Sequence, residues 1–310
     1  MKFLFFLMMI TLPIFATDII IVAAGPKLDT YDAETMNYLG VFSDMRKDDS
    51  MILTPSAVLQ TKDGSLLVAG GVSANKFDGK YISLVKIGTD GELEELLVKQ
   101  DSKNAPINSP KRLLELTNGD ILVLDHTGRI DRFSATGEHK GDFFDSSVGD
   151  NKARKDTIED IILFEGGVVV TAYQRDKKFM KYSESGVFEA NYSTGNDDVK
   201  NPSTITPLKN GKYLLVDIGY TPKKVELLDD TLIYESDVIV EGVMKPTLAI
   251  KNELTEEYLV IDEGRTRESS YDDNLELFGK DGVYQKSKGT YKDGLLRSMI
   301  FFKGSTKVFK

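Results

Sequence analysis

Residues 118–137 read NGDILVLDHTGRIDRFSATG, in which a turn precedes a short apolar run and an alternating run precedes another turn. Gly, Asn and Asp at such turns supply positive φ angles and local hydrogen bonds, which hairpins require. The apolar run is rich in Val, Ile and Leu and is short enough to be a strand rather than a helix. The stretch therefore predicts strands joined by tight turns.

The first turn of this stretch recurs along the chain at intervals of 55, 47, 45, 45 and 48 residues. Its six landmarks are Gly64, Gly119, Gly166, Gly211, Glu256 and Gly304. A second kind of turn alternates with the first without exception, and an aromatic or aliphatic residue stands four positions before each of its landmarks. These landmarks are Thr35, Gly91, Gly137, Gly186, Thr231 and Gly282. Two sets of landmarks in step indicate a repeated structural unit.

Each unit is predicted to hold four strands, named A to D in chain order, with one turn between A and B and the other between C and D. A period near 40–50 residues with four strands per unit is typical of a propeller blade. Six turns of each kind predict an all-β, six-bladed β-propeller with four-stranded antiparallel blades.

The two ends of the chain are predicted to share one blade. The chain begins with a C–D turn and ends with an A–B turn, so we expect RSMIFFK (297–303) to supply strand A and IIIVAAG (19–25) to supply strand B. Pairing these strands closes the ring and leaves no open edge. KVFK at the C-terminus competes for the same position, so seven blades or an extra edge strand remain as alternatives.

The N-terminus, MKFLFFLMMITLPIFATD, has a cationic start, a brief apolar run and a small residue at its end. This pattern predicts a signal peptide over residues 1–16, cleaved after Ala16. A membrane anchor would need about 20 apolar residues, and Asp18 comes too early for one. We expect residues 17–310 to form a single propeller domain, which is secreted or periplasmic.

The cysteine content restricts how the fold can be stabilised, and the net charge restricts the classes of partner. The chain has no Cys, so an exported fold must hold itself by its core, without disulfides. The net charge of −10 repels nucleic acid phosphates and anionic lipid head groups. We therefore expect no nucleic-acid partner and no membrane insertion after the signal peptide has been removed.

Two blades resemble known repeats. ILVLDHTGRIDRFSATGE (121–138) resembles the NHL repeat, and the stretch from KDGSLLVAGG to YISLVKIGTDGELEE (62–95) resembles the bacterial Delta-60 type. The resemblance implies the propeller fold and says little about activity, because propellers serve binding, scaffolding and catalysis alike. It also implies that the D–A and B–C loops share the face where ligands meet the central channel. The long loops there are 43–54, 71–80, 145–157 and 262–273.

Three carboxylates share one position of the repeat, six residues after the A–B landmark: Asp125, Asp217 and Asp262. Oxygen ligands of this kind suit a hard cation, so these residues are candidate metal ligands, with Ca²⁺ as the ion and no other cofactor expected. The alternative is structural: an Asp that closes a strand caps the amides of the following loop. We favour the structural interpretation.

A second candidate set lies on the innermost strands. Counting from the Pro that precedes each strand A places Arg112, Glu159 and Arg297 at one position, with side chains toward the channel. They would form a charged ring able to hold a carboxylate or phosphate, and His126 lies beside Asp125 at the same face. The alternatives are mutually paired charges in a wet channel, or a register that is off by one residue.

Motif searches give no catalytic signature: the chain has no G-x-S-x-G, no H-E-x-x-H and no phosphate-binding G-x-x-x-x-G-K-[ST]. The leading hypothesis is therefore an exported, non-catalytic binding protein that presents its loop face to a protein or glycan. The alternative is a metal-assisted hydrolase or lyase with its site at the channel mouth.

Overall fold

The computed structural model describes residues 18–47, 50–51, 53–72, 81–100, 107, 109–144, 158–172, 179–195, 199–219, 223–263, 273–291 and 296–303. These residues form six four-stranded antiparallel sheets and one short hairpin. The all-β, six-bladed propeller that the turns predict is therefore confirmed. In the described part of the chain, no helix has the length and hydropathy needed to cross a membrane.

The strands follow one another in chain order from blade to blade. Blade 1 contains β1 (Asp18–Ala24), β2 (Lys27–Asp32) and β3 (Tyr38–Asp44), and the hairpin is β4 (Arg46–Lys47) with β5 (Ser50–Met51). Blade 2 contains β6 (Leu53–Gln60), β7 (Leu66–Val72), β8 (Tyr81–Ile87) and β9 (Leu93–Gln100). Blade 3 contains β10 (Pro110–Glu115), β11 (Ile121–Asp125), β12 (Ile130–Phe133) and β13 (His139–Asp142).

The second half of the ring repeats this order. Blade 4 contains β14 (Ile158–Phe164), β15 (Gly167–Ala172), β16 (Phe179–Ser183) and β17 (Phe188–Tyr192). Blade 5 contains β18 (Pro202–Pro207), β19 (Tyr213–Asp217), β20 (Lys224–Leu228) and β21 (Tyr234–Ile239). Blade 6 contains β22 (Pro246–Lys251), β23 (Tyr258–Asp262), β24 (Asp273–Phe278) and β25 (Tyr284–Tyr291), and β26 (Leu296–Lys303) follows.

The ring closes through its two ends, as the sequence predicts. Strand β26 is strand A of blade 1 and pairs antiparallel with β1, with Asp18 opposite Lys303 and Ile20 opposite Phe301. The competing segment 307–310 lies outside the described residues. Because the first blade is built from both ends of the chain, strand β1 is paired on both of its edges, with β26 on one side and β2 on the other.

The core lies between the blades. Six buried apolar clusters of the described residues each join two neighbouring blades. Strand β1 shows how period-two alternation feeds two of them: Ile19 and Ile21 pack toward blade 2, whereas Ile20 and Val22 pack toward blade 6. Every blade therefore depends on both of its neighbours for burial.

The two kinds of turn lie at one end of the ring, which we call the turn end, and the B–C and D–A connections lie at the other, the loop end. Glycine is required for two reasons at the four C–D turns that have it as their landmark. Gly282 has a φ of 74°, and a Cβ there would lie 1.7 Å from the carbonyl oxygen of Val238 in the preceding blade. These four landmarks are thus also contacts between blades.

Part of the loop end lies outside the description. Of the long loops predicted there, residues 48–49, 52, 73–80, 145–157 and 264–272 are outside the described residues, and so are residues 1–17 with the predicted signal peptide. The strand ends that border these loops are described in every blade.

Candidate functional site

The innermost strands carry a β-bulge near the loop end in all six blades, where one residue of strand A has no partner on strand B. The six bulged residues are all polar: Ser56, Lys111, Glu159, Ser203, Thr247 and Arg297. Bulges often redirect side chains next to functional sites. This ring of polar residues surrounds the loop end of the central axis.

The register corrects the sequence-based alignment of the charged ring. Arg112 pairs with Leu124 and lies one residue beyond the bulge, whereas Glu159 and Arg297 are bulged residues themselves. The assignment of all three to one position was therefore wrong. The residue of blade 4 that corresponds to Arg112 is Asp160.

Arg112 and Asp160 form an ion pair that spans neighbouring blades at the inner strands. Arg112 Nε donates to Asp160 Oδ1 at 2.6 Å, and the guanidinium also donates to the carbonyl oxygen of Ile205 in blade 5 at 3.3 Å. Asp160 Oδ2 accepts the Ile205 backbone N–H at 2.8 Å, and only 1% of the Asp160 side chain is exposed. The pair ties blades 3, 4 and 5 together and has few donors or acceptors left for a ligand.

The charges nearest the loop end surround the channel mouth. Lys111 Nζ pairs with Glu159 in the next blade. The His126 ring is exposed, yet nearby protein atoms displace part of its water and lower its pKa, and the positive charges of Lys111 and Arg297 lower the pKa further. The negative charges of Asp125 and Glu263 oppose this shift. Lys111, Glu159, Arg297 and His126, which we call the mouth cluster, thus come together from blades 1, 3 and 4.

Two of the three candidate metal ligands hold the segment that precedes strand A of their own blade. Asp217 accepts the backbone N–H groups of Lys200 at 2.7 Å, Asn201 at 2.8 Å and Gly219 at 2.8 Å. Asp262 accepts those of Met244 at 2.8 Å and Lys245 at 2.7 Å. Each carboxylate therefore joins the end of strand B to the segment that leads into strand A of the same blade.

Asp125 differs from the other two. Its Oδ1 accepts the Thr127 hydroxyl at 2.7 Å, the Thr127 N–H at 2.8 Å and the Arg129 N–H at 3.0 Å, all within its own B–C turn. The structure places Asp125, Asp217 and Asp262 in three different blades, each beside its own loop. Within the described ranges, no three His, Asp or Glu side chains come together in a way that could hold a metal ion.

At the turn end, the central axis opens into a cavity of about 510 Å³, which we call the turn-end cavity. All six strands A line it, and the equivalent residue of each blade is Leu59, Leu114, Ile162, Thr206, Ile250 or Ile300. Arg112 lies at its inner end, and Lys209, Lys251 and Lys303 lie at its mouth. Sequence reasoning missed this cavity, although the apolar residues that follow the polar bulged residue of most strands A were a usable signal.

Comparison with known proteins supports the fold and goes no further. No family model matches the chain, and no curated protein matches its sequence. The NHL-like and Delta-60-like character of the repeats therefore stays a prediction.

Solved structures match at low identity over most of the chain. A chain from a nidogen/laminin complex has a TM-score of 0.62 at 13% identity, covering 91% of this chain and 97% of its own. A protein of unknown function from Bacteroides caccae has a TM-score of 0.58 at 15% identity, covering 93% and 100%. A putative 6-phosphogluconolactonase from Bacteroides fragilis has a TM-score of 0.52 at 15% identity, covering 90% and 83%.

Proposed function

We propose that this chain is an exported, non-catalytic binding protein whose loop end contacts a protein or glycan partner. The observation that carries the proposal is that two carboxylates at the loop end are already hydrogen-bonded to backbone amides. Asp217 and Asp262 are occupied by backbone amides, so they hold the surface in shape rather than lining an open reaction site. Binding residues are often placed on loops that a rigid scaffold positions.

The mouth cluster supplies the charges that a partner would meet. Within the described residues, Arg297 has no ion-pair partner, and His126 is exposed beside it. Arg297 offers a planar donor group for a carboxylate or phosphate of the partner. A protein partner has additional support, because one similar propeller was solved in a nidogen/laminin complex.

A site-specific photo-crosslinker tests which end meets the partner. We would place it at His126 in the mouth cluster and, as a control, at Lys280, an exposed residue of a C–D turn. Exposure to the exported fraction of the native host should give crosslinks from position 126 and few from position 280. Crosslinks from position 280 alone, or from neither position, would contradict the proposal.

A charge reversal sharpens this test. Arg297→Glu should weaken binding of the crosslinked partner about tenfold or more, since a repulsive charge at an interface costs more than the loss of an attractive one. Lys280→Glu introduces the same change in charge far from the mouth cluster and should leave binding of the partner unchanged. Equal effects of the two substitutions would point to a non-specific electrostatic attraction.

The alternative function is a metal-assisted hydrolase or lyase at the channel mouth. The observation in its favour is that Asp125, Asp217 and Asp262 all end strand B at the loop end. Elemental analysis of the purified protein distinguishes the two functions. Stoichiometric Ca²⁺ or Zn²⁺ that is lost in Asp262→Asn would favour the enzyme, and its absence would leave the binding function.

Export has its own test, because it rests on residues 1–16 alone. Sequencing the N-terminus of the protein isolated from its native host should give Thr17 as the first residue. An intact Met1 would remove the support for a secreted or periplasmic location.

A further inference from the structure

We propose that the turn-end cavity binds a single linear amphiphile, with its hydrocarbon tail inside the ring and its anionic head group on the lysines at the mouth. This site lies at the opposite end of the axis from the proposed partner surface. It also takes a different class of ligand, a free fatty-acid-like molecule, so the two proposals stand or fall separately.

The lining of the cavity fits a hydrocarbon tail. Five of the six blades contribute an aliphatic side chain at the same level, namely Leu59, Leu114, Ile162, Ile250 and Ile300. Cavities with such walls offer water few hydrogen bonds and tend to stay dry until an apolar ligand fills them. The volume of about 510 Å³ is within the usual range for small-molecule sites, roughly 300–1,000 Å³. It is enclosed by six strands, so it admits one narrow chain and no macromolecule.

The mouth of the turn-end cavity favours an anionic group. Lys209, Lys251 and Lys303 line it, and in the described part of the chain none of the three ammonium groups has an ion-pair partner. Asp18 and Glu253 also line the cavity, so these five residues carry a net charge of +1 in a protein of net charge −10. Cations that have no carboxylate partner among the described residues, above an apolar space, match a ligand with one anionic group and one long tail; the Lys251 ammonium also lies 5.9 Å from the centroid of the Tyr258 ring.

The inner end of the cavity fixes the orientation of the ligand. Arg112 is the cation at that end, but its guanidinium already donates to the Asp160 carboxylate and the Ile205 carbonyl. A head group placed there would have to displace the Asp160 carboxylate, which would leave a buried charge without its partner. The tail therefore enters first, and the head group stays at the mouth with the lysines.

Titration calorimetry with dodecanoate, below its micellar concentration, tests the proposal on the full mature chain. We expect one dodecanoate bound per chain and roughly tenfold weaker binding for each two methylene groups removed from the tail. Dodecyltrimethylammonium, which has the same tail and a cationic head, should bind much more weakly. Equal binding of the two probes, or no binding of dodecanoate, would overturn the proposal.

Two kinds of variant test where dodecanoate binds. Lys209→Glu with Lys251→Glu should weaken dodecanoate binding about five- to tenfold, while Lys99→Glu with Lys280→Glu, an equal charge change away from the mouth, should not. Ile162→Trp should abolish binding by filling the cavity, and Val283→Trp on an exposed turn should leave it intact. If Ile162→Trp does not fold, the variant with Lys209→Glu and Lys251→Glu still tests the proposal, because Lys209 is exposed and Lys251 is only half-buried.

A chain that ends at Lys303 completes the test. It should bind dodecanoate as tightly as the full chain. Binding by the shortened chain alone would mean that residues 304–310 occupy the cavity in the full protein, and the proposal would be wrong. Retention on phosphatidylglycerol vesicles without binding of monomeric dodecanoate would also overturn it.

Discussion

The two ends of the central channel are lined by the same six strands and yet differ in chemistry. At the loop end each inner strand carries a polar bulged residue, and Lys111 pairs with Glu159 while Asp217 holds loop amides. At the turn end the same strands present aliphatic side chains, and three lysines at the mouth have no ion-pair partner among the described residues.

The boundary between the two ends is the Arg112–Asp160 ion pair. One residue toward the loop end, strand A is bulged and polar, and one residue toward the turn end it is buried and apolar, as at Leu113 and Ile161. A single layer of the ring therefore separates a charged surface from an apolar cavity. Two sites of different chemistry can share one axis because this layer is fixed by hydrogen bonds across three blades.

The largest expected effect comes from breaking this boundary. Arg112→Met leaves the buried Asp160 carboxylate without its counter-ion, and removing one partner of a buried pair costs about 3–5 kcal/mol of unfolding free energy. Urea denaturation measures the loss. Adding Asp160→Asn to Arg112→Met should recover part of it, because the amide oxygen still accepts a backbone N–H without an unpaired charge. A loss below about 1 kcal/mol for Arg112→Met would mean that the pair is not holding the layer.

The second-largest expected effect is a difference in stability between variants of two loop-end carboxylates, Asp217 and Asp125. Asp217→Ala leaves three backbone amides without an acceptor and releases the segment before β18, which should cost about 2–3 kcal/mol. Asp125→Ala affects only its own turn and should cost about 1 kcal/mol. Urea unfolding of the two variants measures the difference. The opposite order would show that the contacts of Asp217 do not stabilise the loop end.

Most of the fold could be predicted from sequence, because each turn imposes a backbone requirement that few residues meet. The described glycines at the A–B and C–D landmarks have positive φ, as Gly119 and Gly186 do. Where Thr stands at the landmark, the following residue adopts the conformation instead, as Met36 and Leu232 do. The landmarks could therefore be counted, and the closing pair of strands followed from the count.

The charged ring could not be placed as well, for two reasons. Blades 1 and 4 have Leu296 and Ile158 where the other blades have Pro directly before the bulge, so only spacing aligns Arg297 and Glu159 with Arg112. The bulge then inserts one residue at that point, and spacing cannot reveal an unpaired residue. The partner of Arg112 was missed for the same reason, since Asp160 follows Glu159 directly.

A smaller effect concerns the boundary layer itself. Thr204 occupies the same register position as Arg112, and among the described residues its buried hydroxyl has no hydrogen-bond partner. Thr204→Val should leave the protein equally stable or stabilise it by up to about 1 kcal/mol.

Ser298 is the matched control. Its hydroxyl accepts the Val58 N–H at 3.3 Å, so Ser298→Ala should destabilise the protein by about 1 kcal/mol. Thermal unfolding of both variants measures whether each substitution raises or lowers the stability of the protein. A destabilised Thr204→Val would mean that this hydroxyl is bound to water or to a ligand in the channel.

The smallest effect reports directly on the charges at the loop end. Partial burial and the positive charges of Lys111 and Arg297 lower the pKa of His126, so Arg297→Gln should raise that pKa part of the way toward its ordinary value. Because the folded-state pKa lies below the unfolded value of about 6.5, protonation of His126 costs stability, and this cost appears as the pH falls through 6.5. Arg297→Gln should therefore reduce the loss of stability on acidification.

NMR titration measures this pKa directly, because the chain has only two histidines. The other histidine, His139, lies in β13 with its ring against Asp131, away from the mouth cluster. An unchanged curve for His126 would place Arg297 away from the mouth and would remove the mouth cluster as a binding surface. A shifted curve would show that blades 1 and 3 meet electrostatically across the channel, as a shared site at the loop end requires.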